Sequence, residues 1–185
     1  MRRDFPRLKG SPESEAALLR VLGVVSFISL DNGDEALYIN ARLVAWFNAE
    51  TDDKSLMDFA FQTARALSVS MRSFDLATPE NPEWDWNEVT EALAAGDQTE
   101  VRAEIMVQVK QTDDGKKVHF CDDHRLGDRN RDRWFTMAEG VELSEYIEQF
   151  LTDNGVAQKV ERITPIYSDR SEIEWQVIYL MPLAS

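Results

Sequence analysis

Glu100-Val101-Arg102-Ala103-Glu104-Ile105-Met106-Val107-Gln108-Val109-Lys110-Gln111 is the stretch on which the fold turns. Val101, Ala103, Ile105, Val107 and Val109 recur at every second position, with Arg102, Glu104, Met106, Gln108 and Lys110 between them. A period of two belongs to a strand, and a single apolar face predicts a strand half-buried against a core. Thr112-Asp113-Asp114-Gly115 then turns the chain into Lys116–Cys121, which predicts a hairpin.

The same punctuation appears on either side. Val24–Leu30 and Ala36–Asn40 flank Asp31-Asn32-Gly33-Asp34, where the Asn-Gly pair tolerates the positive φ of a tight hairpin. Leu43–Phe47 reads in two ways. Leu37, Ile39, Ala41, Leu43, Ala45 and Phe47 alternate like a strand, whereas Leu43, Trp46 and Phe47 fit a helical turn; the strand is preferred. Lys159–Tyr167 and Glu172–Met181 form a last hairpin, with Ile173, Trp175, Val177, Tyr179 and Met181 on one face.

Helices fall between the hairpins. Ser11-Pro12 opens one over about 12–22, stopped by Gly23. Thr51-Asp52-Asp53 offers capping oxygens ahead of a stripe made by Leu56, Phe59, Ala60, Thr63 and Leu67. After a short strand within Ser68–Leu76 and a two-proline loop, a helix from Pro82 or Asp85 buries Trp86, Val89 and Leu93 and stops at Gly96. Leu143, Ile147, Phe150 and Leu151 mark another, ended by Asn154-Gly155. The expected fold class is therefore α+β: a mostly antiparallel sheet built from hairpins, with three to four amphipathic helices packed on it. One compact domain over 1–185 is expected. The order of elements hints at two related halves, about 10–97 and 98–185, behind a flexible basic N-terminus at 1–10.

Composition narrows the classes of function. Hydrophobic residues make up 43% of the 185 and aromatics 10%, enough to build a core and unlike a disordered chain. The apolar run Val21–Leu30 is interrupted by Gly23, Ser26 and Ser29, which argues against a membrane span, and no small-residue cleavage site suggests a signal peptide. A lone cysteine, Cys121, fits a reducing compartment, so a cytoplasmic location is expected. Against 34 Asp and Glu stand 20 Lys and Arg, a net charge of −14, which repels nucleic acid and anionic membranes. Direct nucleic-acid binding is disfavoured.

Chemistry-bearing residues are few. His119-Phe120-Cys121-Asp122-Asp123-His124 gathers both histidines and the cysteine within six positions. On a strand His119 and Cys121 share a face, and a turn could bring Asp123 and His124 to the same divalent transition-metal ion. The spacing matches no paired zinc motif, and the neighbouring aspartates oppose a low thiolate pKa, so an ordinary strand end is the preferred reading. Arg125–Arg133 alternates arginine with aspartate and reads as a hydrated loop of self-pairing charges. Neither a Gly-x-x-x-x-Gly-Lys loop nor a Gly-x-Ser-x-Gly elbow can be written. No catalytic residue is assigned.

The acidic constellation remains. Glu80, Glu83, Asp85, Glu88 and Glu91 surround Trp84 and Trp86, while Glu142, Glu145 and Glu148 line a separate helix. Like charges three apart on a helix repel by a few tenths of a kcal/mol per pair, so folding alone does not call for them. Spaced carboxylates with a tryptophan anchor suit a protein partner with a basic surface. The first reading is an acidic binding protein that blocks or sequesters a basic, nucleic-acid-handling partner, in the manner of a phage or plasmid inhibitor of host defence or an immunity protein. A secretion chaperone is a further setting. The alternatives are a metal-dependent enzyme centred on His119–His124 and a structural subunit assembling as a homo-oligomer. A metal enzyme is expected to retain its ion through purification and to lose it in His119→Ala or Cys121→Ala, which elemental analysis of the purified protein decides.

Overall fold

The computed structural model describes residues 12–50, 55–96, 99–121, 133–168 and 172–183. Helix α1 (Pro12–Leu22) leads into a three-strand meander, β1 (Val25–Leu30), β2 (Glu35–Ile39) and β3 (Arg42–Phe47). Helix α2 (Met57–Leu67), strand β4 (Met71–Leu76) and helix α3 (Trp86–Ala95) follow. The second part runs β5 (Glu100–Thr112), β6 (Gly115–Cys121), β7 (Trp134–Thr136), α4 (Leu143–Asp153), β8 (Lys159–Ser168) and β9 (Glu172–Pro182). The nine strands among the described residues join one sheet, antiparallel there except for β1 beside β4, so the α+β class holds. No helix among the described residues is long and apolar enough to cross a membrane.

The stretch 100–111 is the spine of this sheet. Along one flank β5 pairs with β9 from Glu100 to Lys110. Its other flank is shared: residues 102–104 pair with β4 and 106–112 with β6. The expectation of a half-buried strand is corrected. Glu104 and Met106, on the alternate face, are buried as well as the valine row, because strands enclose both flanks and α2 packs on that side.

Two apolar clusters lie on opposite faces. The larger takes Leu18 and Leu22 from α1, Trp86, Val89 and Leu93 from α3, and Ile147 and Leu151 from α4, over Val101 to Val109 of β5. The smaller places Leu56, Ala60, Phe61 and Ala64 over Val25, Phe27, Leu37 and Met71. For α2 the predicted stripe was rotated. Phe59 is 60% exposed and Leu67 47%, while Phe61 and Ala64, outside the stripe, are buried. The small Ala60–Ala64 row lets the helix approach the sheet closely, and that row sets the rotation. The capping residues expected at Thr51-Asp52-Asp53 lie outside the described residues. At the described start, Leu56 N–H donates to Glu35 Oε2 at 2.6 Å and Ser55 Oγ donates to Glu35 Oε1 at 3.0 Å.

The turns differ from expectation in detail. In the β1–β2 turn only Gly33 takes a positive φ (88°), with Gly33 N–H donating to Leu30 O and Leu30 N–H to Asp34 O, both at 2.9 Å. The left-handed pair sits instead at Asn40 and Ala41 (φ 50° and 58°), where the alternating stretch 37–47 folds back into β2 and β3. Strand β7 and the parallel pairing of β1 with β4 had no counterpart in the sequence reading. A parallel neighbour requires a crossover, and the connection through α2 supplies it.

Arg72 on β4 is 6% exposed, and its Nη1 donates to the carbonyls of Arg20 and Val21 at 2.5 and 2.6 Å, closing the C-terminal end of α1 with a cation. Gly23, at φ +65°, packs on this guanidinium so closely that an added Cβ would fall 2.6 Å from Nε. Gly23→Ala is expected to destabilise the fold by about 1–3 kcal/mol, from left-handed strain plus displacement of Arg72. Urea denaturation checks this; an unchanged midpoint would contradict the packing described.

Candidate partner-binding site

Helices α1, α3 and α4 cover one face of the sheet through the larger cluster, and their outer surface is acidic. Glu15, Glu88, Glu91, Glu145, Glu148 and Asp153 lie on these helices, against Arg20 as the one base among their described side chains. On the other face α2 carries one of each sign, Asp58 and Arg65. The residues read from sequence as partner-binding thus fall in one helical layer. Glu83, Asp85, Glu88, Glu91, Glu142, Glu145 and Glu148 are exposed, and Trp84 is half-buried.

Some of these carboxylates also serve the fold. Asp85 is the N-cap of α3, its Oδ1 accepting from Asn87 N–H at 2.9 Å and Glu88 N–H at 3.1 Å. Asn81 bridges to the same helix, its Nδ2 donating to Glu88 Oε2 at 3.3 Å and its Oδ1 accepting from Glu83 N–H at 3.1 Å. The helix therefore starts at Trp86 rather than at Pro82, and Trp84 just before it packs against the larger cluster.

That segment walls a groove of about 320 Å³ lined by Asp34, Leu43, Trp46, Phe47, Asn48, Trp84, Asp85 and Trp86. The rings of Trp84 and Trp86 meet edge to face, 5.4 Å apart at 85°. Beneath them the Tyr38 hydroxyl donates to Trp86 O at 3.3 Å, and burial, with Asp85 nearby, holds that phenol far above its ordinary pKa. Asp34 is 9% exposed; its Oδ1 accepts from Ala49 N–H at 2.9 Å and its Oδ2 from Asn32 Nδ2 at 3.0 Å.

Sequence reasoning found Trp84 and Asp85 but missed Asp34, Leu43, Trp46 and Phe47. The missed signal is a bulge. Leu37 pairs with Ala45 and Tyr38 with Leu43, so Val44 is extra, and Leu43 and Trp46, three apart, come to the same face of β3. The helical spacing of Leu43 and Trp46 in the sequence is the trace of that bulge. Trp46 is left 38% exposed on the edge strand.

The metal candidates lie elsewhere. His119 and Cys121 line one groove of about 400 Å³ with Gln62, Arg65, Ser68 and Gln108, on the α2 face of the sheet. His119 Nδ1 is 3.2 Å from Arg133 O, and its ring lies 5.3 Å from that of Trp134. Cys121 is buried in the smaller cluster beside Met106. Asp123 and His124, and most of the Arg125–Arg133 segment, lie outside the described residues. Among the described residues no group of three or more His, Cys, Asp or Glu side chains is placed to hold an ion.

Comparison with family models, with curated proteins and with solved structures finds no match.

Beside the His119 groove lies a buried polar row. Glu174 Oε1 accepts from Arg65 Nη2 at 2.5 Å and from Gln108 Nε2 at 3.4 Å, while Gln176 Nε2 donates to Glu104 Oε2 at 2.5 Å. Burial raises the Glu104 pKa, outweighing the Gln176 hydrogen bond and the Arg102 and Arg162 charges. A carboxyl whose folded pKa lies above its unfolded value stabilises the fold when protonated, and loses that contribution as pH rises through the folded value. Glu104→Gln, which keeps an acceptor for Gln176, is expected to raise the melting temperature at neutral pH. The gain should vanish toward about pH 4, where the wild-type carboxyl is itself protonated. Thermal melts at the two pH values check it.

Proposed function

We propose that this is a binding protein whose acidic helical layer engages a basic surface on a protein partner and sequesters it from nucleic acid. One observation carries the reading: α1, α3 and α4 share a face on which acids outnumber bases heavily, while α2 on the opposite face is balanced. Such segregation costs repulsion within the layer, and a cationic partner would relieve it. The tryptophan-lined groove at the start of α3 adds an apolar anchor next to the charge, the arrangement in which interface energy concentrates. The carboxylates carry the charge that a basic, phosphate-binding groove accepts, which supports an inhibitor or immunity-type role.

Affinity capture from host lysate tests this with Glu88→Lys/Glu91→Lys as the control. A basic protein held by the wild type is expected to elute as salt rises above the physiological range, where the screening length falls below about 8 Å. Its affinity for the double variant should drop by at least about tenfold, while the urea midpoint falls only by the small amount that loss of the exposed Asn81–Glu88 contact and a lysine in the first turn of α3 account for. Capture indifferent to both salt and charge reversal would overturn the reading.

A further inference from the structure

We infer that the groove between β3 and the start of α3 is a receptor for a guanidinium group, presented by an arginine side chain of the basic partner; this deepens the partner reading and rests on it. Three tryptophans, Trp46, Trp84 and Trp86, line a space of about 320 Å³, at the small end for ligand sites and matched to one side chain rather than a cofactor. Indole is the ring that attracts cations best. Two carboxylates, Asp34 and Asp85, stand in the same lining, which contains no lysine or arginine. Neither carboxylate has a side-chain cation as partner among the described residues; each accepts from amide N–H groups, Asp85 at the positive end of α3, so a full positive charge has no rival in the groove. Trp46 remains 38% exposed, apolar surface that an occupant would cover.

Arginine fits better than lysine. The guanidinium is planar and weakly hydrated, stacks on aromatic rings, and offers several N–H donors to carboxylate oxygens, whereas an ammonium group is a strongly hydrated point charge. The bulge at Val44 is what assembles the site, because it turns Trp46 toward the same face as Leu43.

The test is an NMR titration of the full chain with N-acetyl-arginine amide, following the indole N–H signals of its five tryptophans. Saturable shifts in the millimolar range are expected at Trp46, Trp84 and Trp86, with Trp134 and Trp175 silent. The neutral citrulline analogue, at matched ionic strength, should produce none. Asp34→Asn/Asp85→Asn removes both charges and leaves one acceptor at each position, enough for the Ala49 N–H and the helix cap though Asn32 Nδ2 loses its partner; Asp85→Asn alone, with an unchanged urea midpoint, is the companion variant that separates loss of charge from loss of fold. Binding should then weaken by at least about tenfold. Unsaturable shifts, equal shifts with citrulline, an unaffected double variant, or tighter binding of the lysine analogue would each overturn the assignment. A silent groove alongside salt-sensitive capture removes the receptor and leaves the acidic face standing; saturable binding without such capture does the reverse.

Discussion

Strand β5 is the constraint from which the rest follows. It is hydrogen-bonded along one flank by β9 and along the other by β4 and then β6, so its backbone donors and acceptors are met by strands on both sides. That enclosure is what permits both of its faces to be buried, including Glu104. The valine row on one side gives α1, α3 and α4 a common floor. Met106 on the other side extends the smaller cluster beneath α2.

The division of helices between faces also divides the charge. A helix exposes whatever its buried stripe does not use, and three helices on one floor present their polar sides together. The acids of α3 and α4 are remote in sequence, yet they belong to one surface because the β5 floor is common to both. On the α2 face the ionic chemistry turns inward, as in the contact of Arg65 with buried Glu174.

What was legible in the sequence was local. Ser11-Pro12, Asp85 and Gly96 mark helix ends by stereochemistry, and the bounds of α1 and α3 agree with them. Hairpins joined by short turns were legible for the same reason. What was not legible depended on distant partners. The rotation of α2 follows from close packing of Ala60 and Ala64 on the sheet, although Phe59 and Leu67 are more hydrophobic. The parallel β1–β4 pair is set by a crossover, and the facing of Trp46 by one inserted residue in a pairing that no single strand reveals. The candidate site was accordingly half visible: Trp84 and Asp85 by composition, Trp46 and Asp34 only by register.

The β5–β9 pairing has a consequence in time. Glu100 pairs with Pro182, so the chain emerging from a ribosome completes β5 and then about seventy further residues before its main partner strand exists. During that interval a valine-rich strand offers a row of unpaired amides to any neighbouring chain. Nascent copies on one message are thus exposed to cross-pairing, and early binding of a holding factor along β5 would protect the yield without altering the finished molecule.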